Sequence, residues 1–262
     1  MQLDQVRAII TGGASGLGHA VASMLASAGA SVCLLDVNQD KGEAAAAGLG
    51  GKARFYRVDV TDEAGVASTV DTAAAAMGGL NVAINCAGVL GAGRVLGKDG
   101  PMPLSQFETT VRINLIGSFN VAKAAAARMQ SNPPGEDGER GVIVHTASIA
   151  AYEGQIGQAA YSASKGGVVG MTLPMAREFA RIGVRVMTVA RASSIPRWSM
   201  ACRRRSTTRC APRCPTPPAL ARAKSSPTPS PSSCATAIST AASSASTAQC
   251  AWRPSDDVIG DS

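Results

Sequence analysis

No segment of this 262-residue chain reaches the roughly 18 consecutive apolar residues that a membrane-spanning helix needs. The N-terminus lacks the basic region followed by an apolar run that marks a secretory signal. Both absences predict a soluble, cytoplasmic protein with no membrane partner. Residues 1–190 contain only two cysteines, Cys33 in a predicted strand and Cys86 in a strand-end motif, so no disulfide framework is expected there. The other cysteines are Cys202, Cys210, Cys214, Cys234 and Cys250; they have no histidine nearby and no paired CxxC spacing, so no metal site is expected. His19 and His145 are the chain's two histidines, neither has a partner carboxylate in sequence, and both read as non-catalytic. The net charge of +7 suggests a nucleic-acid partner only until it is located. Residues 1–190 carry 15 basic and 15 acidic residues, whereas residues 191–262 carry 10 against 3. The body is neutral, and a nucleic-acid-binding face on it is not supported.

What is present is the composition of one α/β domain with a full core, 45% hydrophobic. Short β-branched runs alternate with Ala-rich stretches, as in a parallel sheet covered on both faces. The runs predict strands at Val6–Thr11, Ser31–Asp36, Arg54–Val60, Val82–Asn85, Gly141–Thr146 and Arg185–Ala190. Helices are predicted at Leu17–Ala28, Asp40–Leu49, Glu63–Met77, Leu104–Gln130 and Ala160–Arg181, the last interrupted by Pro174 and expected to kink there. Asn132–Arg140, with its Pro-Pro-Gly and several charges, reads as a surface loop.

The composition breaks after Ala190. Nine of the 14 prolines lie in the last 72 residues, Phe and Tyr are absent, and Leu, Ile and Val total five. Such a stretch buries too little apolar surface to offset its ordering entropy, so residues 191–262 read as a poorly ordered basic tail attached to a 1–190 core. A sharper reading is a shifted reading frame, with one base lost at the Ala190/Arg191 junction. Reading Arg191–Cys202 back by one base permits Pro-Gly-Ile-Phe-Asp-Thr-Pro-Met-Val-Asp-Gly-Met, an ordinary folded-protein string.

Thr11–Gly18 follows the first strand and opens the first helix. Gly12, Gly16 and Gly18 let the backbone turn tightly against a pyrophosphate at a helix N-terminus, where unpaired N–H groups point at it. Asp36 ends the second strand; a carboxylate there accepts hydrogen bonds from the adenosine ribose and repels a 2′-phosphate. No Lys or Arg follows until Lys41, so NAD is expected over NADP. Asp59-Val60 is expected at the end of the third strand, against the adenine. Asn85-Cys86-Ala87-Gly88 ends the fourth, where small residues let a cofactor lie on the sheet edge. Tyr161 and Lys165 are four apart and share a helix face. A phenol is ordinarily a poor base near neutrality, and an ammonium one turn away favours the phenolate. Ser148, 13 residues before Tyr161 at a strand's C-terminal end, is placed to hold a substrate oxygen.

Through Thr11–Gly18, Asn85–Gly88, Asn114, Ser148 and Tyr161-Ser162-Ala163-Ser164-Lys165, residues 1–190 resemble the short-chain dehydrogenase/reductase family. Gly154–Tyr161, Gly170–Arg177 and the segment Gly91–Phe107 resemble its type-2 3-hydroxyacyl-CoA dehydrogenase subgroup, also called 17β-hydroxysteroid dehydrogenase type 10. The resemblance implies a doubly wound parallel sheet of Rossmann type whose last helix and strand are missing here or replaced by the tail. It implies NAD-dependent interconversion of a secondary alcohol and a ketone, most closely on a 3-hydroxyacyl-CoA. A 3-oxoacyl carrier protein or a steroid is the alternative substrate, and an impaired NAD-binding remnant the alternative outcome. It further implies Tyr161 as acid/base, Lys165 supporting it and holding the nicotinamide ribose, and Ser148 and Gln158 contacting substrate. Asn114 would hold a water in a proton relay. Ser15, Leu17, Asp36, Asp59, Val60, Cys86, Ala87 and Gly88 would join the glycines around NAD. A homo-oligomer of four chains is implied, as is loss of the family's nicotinamide-side Pro-Gly turn beyond Ala190.

Overall fold

The structure, a computed structural model, describes residues 1–135 and 137–191. The tail and its shifted-frame reading lie outside these residues, Arg191 excepted. Six parallel strands form the sheet: β1 (Arg7–Thr11), β2 (Ser31–Asp36), β3 (Ala53–Arg57), β4 (Val82–Asn85), β7 (Gly141–Ser148) and β8 (Val184–Arg191). A separate two-stranded hairpin, β5 (Leu96–Gly97) with β6 (Gly100–Pro101), lies between β4 and β7 in the chain. The sheet order is β3-β2-β1-β4-β7-β8, so the winding reverses between β1 and β4. In such sheets a crevice opens at the strands' C-terminal ends at that reversal. Among the described residues β8 pairs only with β7 and forms an edge.

Alternation along each strand sends side chains to both faces. Ile9, Cys33, Leu35, Ala83 and Ile143 join one core cluster with Val66, Val70, Val121 and Met129. Their neighbours Ile10 and Leu34, on the opposite face, are equally buried. The covering helices are α1 (Gly16–Ser27), α2 (Gln39–Leu49), α3 (Glu63–Met77), α4 (Leu104–Val111), α5 (Gly117–Met129) and α6 (Ala159–Phe179). Local chemistry starts two of them: Asn38 Oδ1 accepts from Lys41 N at 3.0 Å and Asp62 Oδ1 from Gly65 N at 3.1 Å, capping α2 and α3. Pro174 lies within α6.

Two expectations are corrected. The third strand ends at Arg57 rather than Val60. Asp59 Oδ1 accepts from both Thr61 N and Thr61 Oγ1 at 2.9 Å, and this side-chain turn draws the backbone out of the ladder. The single helix expected over Leu104–Gln130 is interrupted by a wide turn at Arg112–Ile116, where Gly117 N donates to Arg112 O, five residues back. There Ser118 Oγ donates to Asn114 O at 2.7 Å, a side chain inserted into the helical ladder.

Candidate active site

The β1–α1 turn is closed by backbone proximity. A Cβ on Gly12, whose φ is +66°, would sit 2.9 Å from Ala87 N, and one on Gly18 would sit 2.3 Å from Gly12 O. Gly16, at φ +55°, has nothing within 4 Å of its Cβ position. Ser15 precedes α1 without capping it by its side chain, and Leu17 follows in the first turn. Thr11 Oγ1 accepts from Cys86 N and Ala87 N, both at 3.1 Å, which ties the ends of β1 and β4 across the reversal point. Asp36 is oriented at the end of β2: Oδ2 accepts from Ala14 N at 3.2 Å and Oδ1 from Asn38 N at 3.1 Å. Beyond β3, Val60 packs against Gly117 and its carbonyl accepts from Asn120 Nδ2 at 3.0 Å. This crevice fits a dinucleotide: glycines where no Cβ has room, an open face at Gly16, and a carboxylate at the adjoining strand end.

Asn114, in the wide turn, bridges the next elements. Its Oδ1 accepts from Val89 N at 2.8 Å, and its Nδ2 donates to Val89 O at 2.9 Å and Ser164 Oγ at 3.0 Å. Ser164 Oγ in turn donates to Tyr161 O at 2.7 Å. A Cβ on Gly88 would lie 3.0 Å from Asn114 Oδ1 and 3.7 Å from Lys165 Nζ, so Gly88, Asn114 and Lys165 meet. Lys165 is buried; its Nζ donates to Thr146 O at 2.6 Å and lies 5.9 Å from the Tyr161 ring centroid. Burial pulls the Lys165 ammonium below the ordinary lysine range, with Cys86 opposing. Ser148 ends β7, where its Oγ accepts from Ala150 N at 3.2 Å rather than meeting Tyr161. Gln158 precedes α6 and turns its Oε1 to Gln155 N at 3.1 Å, within its own loop.

The glycine turn, Asp36, Asp59–Val60, Cys86–Gly88 and Ser148 therefore lie at or just beyond C-terminal strand ends, and Asn114 and Lys165 are bonded there through Val89 and Thr146. Sequence reasoning assigned no role to Thr11, Asn120 or Thr146, which hold Cys86–Ala87, Val60 and Lys165. Only the position of Thr11 inside the glycine motif could have pointed to it. An open hollow of about 550 Å³ between α2 and β3, lined by Ala46, Gly50, Phe55 and others, lies at the far edge of the sheet. Among the described residues no cluster of three or more His, Cys, Asp or Glu could hold a metal ion, and no helix is long and apolar enough to cross a membrane.

A family model described as short chain dehydrogenase matches residues 6–194. The chain belongs to that family. Short-chain dehydrogenases are oxidoreductases, and so is this protein. It is 51% identical over 185 residues to 3-hydroxyacyl-CoA dehydrogenase type-2 of Homo sapiens, covering 70% of this chain and 71% of the relative. The crystal structure of 3-hydroxyacyl-CoA dehydrogenase type-2 from Mycobacterium avium superposes with TM-score 0.69 at 40% identity, over 73% of this chain and 76% of that one. NAD+-bound xylitol dehydrogenase superposes with TM-score 0.66 at 32% identity, over 76% and 74%. The expected Rossmann-type doubly wound sheet and family membership are both borne out.

Proposed function

We propose that this short-chain dehydrogenase uses NAD to interconvert a secondary alcohol and a ketone, with a 3-hydroxyacyl-CoA as its substrate class. The observation that carries the reading is Tyr161 and Lys165 one turn apart on α6, with the Lys165 ammonium buried and held by Thr146 O at the sheet edge where Ser148 ends β7. The preference for NAD rests on Asp36, oriented by two backbone amides and followed by an exposed Val37 instead of a cation. The acyl-CoA class rests on similarity to the human and Mycobacterium avium proteins.

A nicotinamide bound in the crevice supplies the hydride acceptor or donor. The residues of this chain bind, orient and move the proton. Gly12, Ser15, Gly16, Leu17 and Gly18 cradle the pyrophosphate, Asp36 holds the adenosine ribose, and Asp59 and Val60 border the adenine. Cys86, Ala87 and Gly88 form the floor. Ser148 Oγ holds the substrate oxygen, and the Tyr161 hydroxyl takes its proton during oxidation. Lys165 favours the phenolate by its charge and reaches the ribose. The Asn114 turn leads the proton outward through a water. Gln158 lines the substrate side.

A second reading concerns the chain beyond the core. The family match stops at residue 194, close to the compositional break after Ala190. This supports a shifted frame from residue 191 and a catalytically impaired product. The test compares this chain with its frame-restored counterpart, using acetoacetyl-CoA with NADH or NADPH. The restored chain is expected to turn over with NADH at least about tenfold faster than with NADPH. Tyr161→Phe in it should lower kcat by at least ~10² with little change in KM for NADH. Turnover of only carrier-protein or steroid substrates overturns the substrate class, and an unimpaired Tyr161→Phe overturns the site. Equal activity of the two chains overturns the impairment, and an unbroken reading frame in the DNA across codon 190 overturns the shifted frame.

A further inference from the structure

His145 lies on β7, one residue before the carbonyl that holds Lys165, and is completely buried. In register it faces Asn85 on β4 and Thr188 on β8. Its Nδ1 stands 3.1 Å from Asn85 Nδ2. Asn85, itself buried, also donates from Nδ2 to Ser118 O at 3.1 Å, so its two amide hydrogens go to one carbonyl and one imidazole nitrogen. An imidazole accepting at Nδ1 carries its proton on Nε2. The positively charged form has no acceptor nitrogen and would stand in the same buried region as the Lys165 ammonium.

From Ser118 the network runs into the wide turn, where Ser118 Oγ donates to Asn114 O, and the Asn114 side chain clamps Val89 and Ser164. The start of α5 is thus held to the sheet by Asn85, and Asn85 by His145. Leaving one of those amide hydrogens without an acceptor in a buried site is costly, so removing the imidazole frees Asn85 to turn away and releases Ser118 O.

We propose that His145 is a positioning residue for the Asn114 turn, acting through Asn85 as a neutral acceptor that keeps that turn in register with α6. Its consequence for turnover rests on the function proposed above, but its structural content does not. The test compares hydrogen exchange at the Val89 amide, which reports the bond to Asn114 Oδ1, with exchange at the Ile9 amide in the core of β1. It is run on the full chain, His145→Leu and His145→Asn; the asparagine places a carbonyl oxygen where Nδ1 stands. Val89 exchange is expected to rise about tenfold in His145→Leu while Ile9 is unchanged, and to stay within about twofold of the parent in His145→Asn.

An unmoved Val89 in His145→Leu, a common rise at Val89 and Ile9, or failure of asparagine to rescue overturns the proposal. Should His145→Leu fail to fold, the imidazole nitrogen shifts of the parent decide, since the chain has only His19 besides. Protonated Nε2 with bare Nδ1 is expected, and the opposite tautomer overturns the proposal. In the frame-restored enzyme His145→Leu should lower kcat about tenfold without raising KM for NADH, and His145→Asn should recover it. If exchange behaves as expected but no version turns over, the proposed function fails and the positioning role stands.

Discussion

At the scale of single residues, the proposed preference for NAD turns on one carboxylate. Asp36 is oriented by Ala14 N and Asn38 N, so its carboxylate would meet the proposed adenosine ribose without rearrangement. A 2′-phosphate brought there meets a like charge, and such a pair near a surface repels by about 1 to 4 kcal/mol at 4 Å. Asp36→Ala should therefore move the ratio of kcat/KM for NADH over NADPH toward NADPH by about tenfold, the equivalent of roughly 1.4 kcal/mol. Steady-state kinetics with both cofactors on the frame-restored enzyme measures this, and an unchanged ratio would place the discrimination elsewhere. Cys33 marks the opposite case. Burial lifts its thiol to about 11, so it packs as an apolar side chain and stays unreactive near neutrality.

At the scale of elements, the β1–α1 turn works because backbone touches backbone. The Cβ of an alanine at Gly18 would lie 2.3 Å from Gly12 O and 2.8 Å from Gly12 C, and neither atom can swing aside as a side-chain tip could. Gly18→Ala should cost about 1–3 kcal/mol of stability, as overpacking does, and weaken NADH binding at least about tenfold by opening the turn. Gly48, inside α2 with nothing within 4 Å of its Cβ position, is the matched control. Gly48→Ala should raise stability by about 0.5–1 kcal/mol through helix propensity and leave binding alone. Urea unfolding and NADH fluorescence titration separate the two, and equal effects would show that the close approach at Gly18 does not matter.

At the scale of the whole molecule, the same buried histidine that positions the Asn114 turn sets an acid limit. Burial, helped by Lys165, pushes His145 down to about 4 from an ordinary 6.5. The unfolded chain therefore binds this proton first, and stability is lost as pH falls from about 6.5 toward about 4. Over that span the loss attributable to His145 is of order 3 kcal/mol. His145→Asn removes the titrating group, so its urea midpoint should fall less steeply than the parent's between those pH values. Parallel curves would show that His145 is already protonated, or equally titratable, in the folded protein.

The strands, the glycine turn and the Tyr161–Lys165 pair were readable from residue order, because each depends on spacing within a few residues: alternation of two, a helical turn, a tight bend. The short reach of β3 was not, since the Asp59 side chain competes for its own backbone where the pattern still looks like strand. Nor was the hairpin of β5 and β6, whose two-residue strands fall below any period. The break in the long helix at Arg112–Ile116, the tie from Thr11 to Cys86 and Ala87, the bond from Asn120 to Val60, and the pairing of Asn85 with His145 all needed the folded chain. Those bonds join residues 60 or more positions apart, and the partner that turns a lone buried polar group into a functional one exists only after parallel strands bring it alongside.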